Sequence, residues 1–184
     1  AGIRAHGVLS VIDYPGFEHL YEPDMESYSN ALNAGQFPMS VLVLSTKSAQ
    51  TYQRGLYGNT MTTNPRSLDI AVAVLELITP ELRENISKRG KQIVDGLAAL
   101  GAETDGAVVS AQGTGLLVSC ELDERFKIYG ADSTEDYLRK IGLAVIHGGA
   151  HSLRYTPVFD LTAKEADLIV ALTKEAILEG PRQS

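Results

Sequence analysis

The feature that most constrains the fold is the order of helix and strand patterns over residues 66–180. Apolar residues recur at helical spacing in two consecutive segments. They are Leu68, Val72, Leu75 and Ile78 in the first segment, and Leu82, Ile86, Ile93, Leu97 and Leu100 in the second. Thr79 can cap the second segment, Pro80 suits its first turn, and Gly101 can end it. The sequence therefore predicts two successive helices.

Strand patterns follow these helices. Strands are predicted at 107–110 and 115–122, joined by Gln112-Gly113-Thr114, and at 143–147 and 152–158, around Gly148-Gly149. Ser133 is predicted to cap a short helix that ends near Ile141. Thr162 and Glu165 form a capping box for a closing helix that ends at Gly180. Because strands and helices are grouped rather than alternating, we predict an α+β fold with helices on one face of an antiparallel sheet.

Residues 1–65 are less regular. Ser40 to Ser45 is a β-rich run, and it predicts a strand that could be buried on both faces, as in a parallel or mixed sheet. The polar stretch from Gly55 to Asn64 precedes Pro65, which suits a first helical turn. By its residues alone, this stretch is either an ordinary turn before a capped helix or a loop whose hydroxyl and N–H groups hold an anion.

Composition excludes several classes of protein. The formal net charge of −7 argues against nucleic acid or an anionic membrane as a partner. Cys120 is the single cysteine, so no disulfide forms within the chain, and its apolar surroundings are typical of a core residue. No apolar run reaches the length of a membrane span, which is about 20 residues. No metal site is predicted, and we expect a cytoplasmic protein.

Short motifs lie in a fixed order along nearly the whole chain. They are Glu22-Pro23-Asp24-Met25, Ser29-Asn30-Ala31-Leu32, Gly35-Gln36-Phe37-Pro38, Gly58-Asn59-Thr60, Asn64-Pro65, Gly113-Thr114-Gly115-Leu116 and Leu153-Arg154-Tyr155-Thr156-Pro157. Each motif is weak alone, but their order resembles the carboxy-terminal half of the class III aminotransferases, pyridoxal-phosphate enzymes of fold type I. The resemblance implies that residues 1–65 are a remnant of the cofactor-binding large domain with part of its sheet. Residues 66–184 would be the small domain, and we expect the chain to be a portion of a longer protein.

The resemblance also implies roles for three residues. Asn59 and Thr60 match a family loop whose threonine contacts the cofactor phosphate of the partner subunit, which implies a homodimer. The alternative for Thr60 is a turn hydroxyl. Arg154 matches the arginine that binds a substrate carboxylate, and a guanidinium can offer a bidentate fork. Its alternative is a solvated or ion-paired arginine on a strand. His147 and His151, on either side of Gly148-Gly149, are expected to be surface or packing residues, and the alternative is that they line a site.

The chain departs from the family at Asn30, where the family has its Schiff-base lysine. An amide is neither a nucleophile nor a useful base near neutral pH. Lys47 is the nearest lysine and lies too far along the chain to replace it. The family's phosphate cup, stacking aromatic ring and pyridine-binding aspartate would all lie upstream of Ala1.

Two functions follow from the resemblance. The first is amino transfer from an amino donor to a 2-oxo acid, both of them small molecules, with pyridoxal phosphate as cofactor. The second is an inactive relative without the lysine, which retains only the fold and a dimer or ligand-binding surface. A third hypothesis is an unrelated α+β module with chance motif matches. Which amino donor is used stays open, because most residues that shape the rest of the pocket would lie upstream.

Overall fold

The computed structural model describes residues 2–56 and 63–183. The chain divides into two compact units, one made of Ala1–Ile3 and Gly7–Arg83, the other of Arg4–His6 and Glu84–Ser184. Among the helices in the described ranges, none is long and apolar enough to cross a membrane.

The first unit combines short helices with a two-stranded sheet. Its elements are α1 (Gly2–His6, shared with the second unit), a 3₁₀ helix (Val11–Asp13), β1 (Met25–Tyr28), a second 3₁₀ helix (Asn30–Asn33), β2 (Val41–Leu44), α2 (Thr46–Ala49) and α3 (Pro65–Glu76). Strands β1 and β2 are antiparallel, with Met25 opposite Leu44 and Tyr28 opposite Val41. The strand predicted between Ser40 and Ser45 is therefore confirmed.

The predicted burial of that strand on both faces is wrong. Leu42 is 59% exposed and Val43 is 49% exposed. The reason is that β1 is the one strand paired with β2 in the described part of the chain, so the sheet has two strands. An isolated pair of strands cannot bury both of its faces.

Helix α3 begins where the sequence predicts. Asn64 is its N-cap, and the Asn64 side chain accepts a hydrogen bond from the N–H of Arg66. The apolar residues at helical spacing stay largely exposed, whereas Ser67 and Ala71 are buried. Ser67 contacts the second 3₁₀ helix through a 2.9 Å hydrogen bond from Asn33 Nδ2 to Ser67 Oγ. Because of this packing, α3 belongs to the first compact unit, and the assignment of residues 1–65 and 66–184 to two family domains stays a prediction.

The second unit is a four-stranded sheet with helices. After α4 (Pro80–Glu103), which begins in the first unit, its elements are β3 (Val108–Thr114), β4 (Leu117–Leu122), α5 (Thr134–Lys140), β5 (Ile146–His147), β6 (Ser152–Tyr155) and α6 (Ala163–Glu179). The strand order is β3-β4-β6-β5, and all neighbours are antiparallel. Ser133 caps α5, and the capping box of Thr162 and Glu165 is complete at the start of α6. The predicted α+β fold is confirmed.

Several boundaries differ from the prediction. The sequence predicts that Gln112 to Thr114 join two strands, but these residues extend β3 and pair with β4, so the turn is Gly115-Leu116. Helix α4 does not end at Gly101, because the chain turns later, where the N–H of Gly106 donates to the carbonyl of Gly101 at 2.9 Å. The two last predicted strands are also shorter than expected and form β5 and β6.

The core of the second unit lies between the sheet and its helices. Val118, Cys120 and Leu153 point from the sheet into this core and are at most 1% exposed. Tyr155 is also buried, and its hydroxyl lies 3.1 Å from Thr173 Oγ1 on α6. Burial raises the pKa of the Cys120 thiol to about 12, which keeps the sulfur in its unreactive thiol form. The prediction that Cys120 is a core residue is confirmed.

Candidate functional site

Arg154 lies on the face of the sheet opposite the core. Its neighbours in sequence, Leu153 and Tyr155, are buried, and Arg154 itself is exposed. This alternation follows from the two-residue period of a strand. Among the described residues, the side chain of Arg154 has no hydrogen-bond or ion-pair partner. The guanidinium therefore has its donors free for a ligand, and a carboxylate is the ligand that suits its planar fork.

The strand register places other polar side chains beside Arg154. Ser119 on β4 is directly opposite Arg154, and Gln112 on β3 is directly opposite Ser119. On the other side Arg154 faces Ile146 of β5. Paired residues in a sheet share a face, so Gln112, Ser119 and Arg154 form a row of hydrogen-bonding groups. The sequence alone did not indicate Ser119 or Gln112, because the register depends on pairing between distant segments.

The other predicted site residues are less fully described. Asn30 begins the 3₁₀ helix after β1, and only its backbone is described. Asn59 and Thr60 lie outside the described residues. Lys47 is exposed in α2. The roles of Asn30, Asn59, Thr60 and Arg154 therefore stay predictions.

His147 takes part in a cluster that ties β5 to α5. Its Nδ1 atom lies 2.9 Å from Glu135 Oε2, and its backbone N–H donates to the same oxygen at 3.2 Å. Arg139 donates to Glu135 Oε1 at 2.7 Å, and the His147 ring stacks on Tyr129 with centroids 4.8 Å apart. Burial alone would raise the pKa of Glu135, but the hydrogen bonds from His147 and Arg139 outweigh it and lower that pKa. These contacts give His147 a packing role, as the sequence predicts.

Replacing Glu135 with glutamine is expected to lower the free energy of unfolding at pH 7 by about 1 kcal/mol. A carboxyl whose pKa is lowered by folding stabilises the protein above its ordinary pKa of 4.5. That contribution is lost as the pH falls through the lowered value. The difference between wild type and Glu135→Gln should therefore shrink below pH 4.5 in urea titrations. Glu124→Gln, at an exposed position, is the control, and a Glu135→Gln difference that stays constant down to pH 3 would contradict this interpretation.

Comparison with known proteins decides the family. Residues 17–177 match the family model "Aminotransferase class-III". This chain belongs to the class III aminotransferase family. An acetylornithine aminotransferase from Xanthomonas axonopodis pv. citri is 32% identical over 153 residues, which are 81% of this chain and 37% of that protein. The class III match thus extends across both compact units.

Solved structures agree in fold. The crystal structure of an acetylornithine aminotransferase from Elizabethkingia anophelis matches with a TM-score of 0.83 at 23% identity, over 96% of this chain and 45% of that one. An ornithine aminotransferase from Toxoplasma gondii, described with partial occupancy of PLP at its active site, matches with a TM-score of 0.80 at 22% identity, over 96% and 40% of the two chains. This class III aminotransferase chain thus spans less than half the length of these relatives.

Proposed function

We propose that this chain is the carboxylate-binding, carboxy-terminal portion of a class III aminotransferase. The reaction of that protein would pass an amino group from an amino donor to a 2-oxo acid, and both substrates carry carboxylates. The observation that carries the proposal is the exposed guanidinium of Arg154, without a partner among the described residues and in register with Ser119. The names of the relatives suggest ornithine or an acylated ornithine as the amino donor.

We also propose that this chain does not by itself carry out the transfer. Pyridoxal phosphate is the cofactor that the family implies, and the residues here do not fit its covalent attachment. Asn30 offers an amide in place of an amine. Lys47 is the one lysine in residues 1–83, and it is exposed in α2. Amino transfer would require an amine other than one at these two positions, and otherwise the chain is a relative that binds substrate without reacting.

A homodimer and a cytoplasmic location are further parts of the proposal. The exposed apolar side chains of β2 and α3, Leu42, Val43, Leu68 and Val72, support a contact with a second chain. The acidic composition and the single cysteine support the cytoplasm.

Carboxylate binding can be tested by titrating the chain with succinate and monitoring the arginine side-chain signals by nuclear magnetic resonance. Wild type is expected to bind succinate with a dissociation constant on the order of 1 mM. Arg154→Met should weaken binding about tenfold or more, because it removes the bidentate donor. Arg66→Met removes an exposed arginine of the first unit and is the matched control. Equal affinity in wild type and Arg154→Met would overturn the proposal.

A further inference from the structure

The segment that follows β6 leaves the sheet directly after Arg154 and Tyr155. Strand β6 ends at Tyr155, and the next regular element starts at the cap of α6, Thr162. Residues 156–161, here called the exit loop, therefore have no partner strand. Side chains from other parts of the second unit hold it instead. Asn85 on α4 donates to the carbonyls of Phe159 and Leu161, both at 3.0 Å.

Arg4 is the second side chain that holds the exit loop. Its guanidinium donates to the carbonyl of Pro157 and lies over the ring of Phe159, 5.0 Å from the ring centroid. The side chain is half-buried, and burial lowers the pKa of Arg4. Within the described residues no carboxylate pairs with it. Its contacts are thus with the exit loop, two and four residues beyond Tyr155.

The backbone of Arg4 is hydrogen-bonded to the turn before β4. The N–H of Leu116 donates to the Arg4 carbonyl at 2.9 Å, and Leu116 is fully buried in the turn before β4. Strands β4 and β6 are neighbours, with Val118 opposite Tyr155. Arg4 therefore bridges the beginning of β4 and the chain that leaves β6, and these two strands carry Ser119 and Arg154.

We propose that Arg4 is a positioning residue for the carboxylate site. By joining the turn before β4 to the exit loop, it fixes the direction in which the chain leaves Arg154 and keeps that end of β6 paired. Arg4 does not contact the substrate. Its effect on substrate affinity rests on the proposed function of Arg154, whereas its effect on the exit loop does not.

The test compares Arg4→Met with Arg182→Met by hydrogen–deuterium exchange. Arg182 is a matched control, because it also lies over an aromatic ring, that of Phe126 at 5.1 Å, and donates to a backbone carbonyl, that of Ile177 at 3.0 Å. Arg4→Met is expected to speed exchange in peptides covering residues 155–161 by about threefold or more, and Arg182→Met is not. The Leu116 amide bonds to backbone and should stay protected in both variants.

Succinate titration supplies the second measurement. Arg4→Met is expected to weaken succinate binding about threefold to tenfold while Arg154 is intact, and Arg4→Lys should restore part of the affinity because a lysine can still donate to Pro157. Unchanged exchange at residues 155–161 in Arg4→Met, or equal acceleration in Arg182→Met, would overturn the positioning role. If exchange responds as expected but wild type binds no succinate, the role of Arg4 in holding the exit loop is supported and the proposed function of Arg154 is wrong.

Discussion

Replacing Gly90 with alanine is expected to lower the free energy of unfolding by about 2–3 kcal/mol. The direction is opposite to helix propensity, since alanine stabilises a helix interior by about 1 kcal/mol relative to glycine. The cause is the close approach of two backbones: a methyl group on Gly90 of α4 would overlap the carbonyl of Gly115 in the turn before β4. This carbonyl belongs to the turn that joins β3 to β4, so moving it aside would distort the hairpin.

Gly115 cannot shift away from a methyl group on residue 90, because the turn is packed on both sides. Gly115 has a φ of +54°, and on its other side it packs against the carbonyl of Ala5. Thus three chain segments meet at one point, and Gly90→Ala should also disturb the hydrogen bond between Leu116 and Arg4. Urea unfolding followed by circular dichroism measures the loss in free energy.

Gly96→Ala, in the same helix, is the matched control. A methyl group there would lie 2.7 Å from Cγ2 of Val170, which is the end of a side chain and can shift. We expect Gly96→Ala to change the free energy of unfolding by no more than about 1 kcal/mol. If Gly90→Ala costs no more than Gly96→Ala, the backbone contact between α4 and the turn does not hold.

Replacing Asn33 with aspartate is expected to destabilise the first unit by about 3 kcal/mol at pH 7. Asn33 is fully buried. Its Nδ2 donates to the carbonyl of Phe37 at 3.0 Å and to Ser67 Oγ at 2.9 Å. A carboxylate has the same shape but no donor, so it would leave a buried charge facing the Phe37 carbonyl. The Ser67 hydroxyl on α3 can still donate to the carboxylate, so the loss arises at the Phe37 carbonyl and from the buried charge.

The destabilisation caused by Asn33→Asp should depend on pH. Burial should raise the pKa of the new carboxyl, and a protonated carboxyl can donate again. The loss caused by Asn33→Asp should therefore be smaller at pH 4 than at pH 7 in urea titrations. Asn64→Asp makes the same chemical change at the exposed N-cap of α3, where aspartate caps as well as asparagine, and should be nearly neutral. Equal losses at both pH values would contradict a buried carboxylate.

Much of the second unit was predictable because its signals are local. Ser133, Thr162 and Glu165 cap helices through atoms within three residues along the chain, so their sequence patterns are sufficient. The strand at Val41 also follows from a local signal, a β-rich run, but the prediction of its burial is wrong, because burial depends on which other segments cover a face. The turn before β4 was misplaced because Gln112 and Gly113 resemble turn residues, whereas pairing with β4 keeps them in a strand.

The sequence by itself indicated the family and determined the helix starts and the amide at residue 30, since motif order and capping are properties of neighbouring residues. Only the tertiary structure decided which side chains lie beside Arg154, because a strand register sets Ser119 and Gln112 on its face. It also decided that Gly90 and Gly115 touch and that Arg4 reaches Pro157. These contacts join segments far apart in the chain, and no local pattern specifies the distance between them.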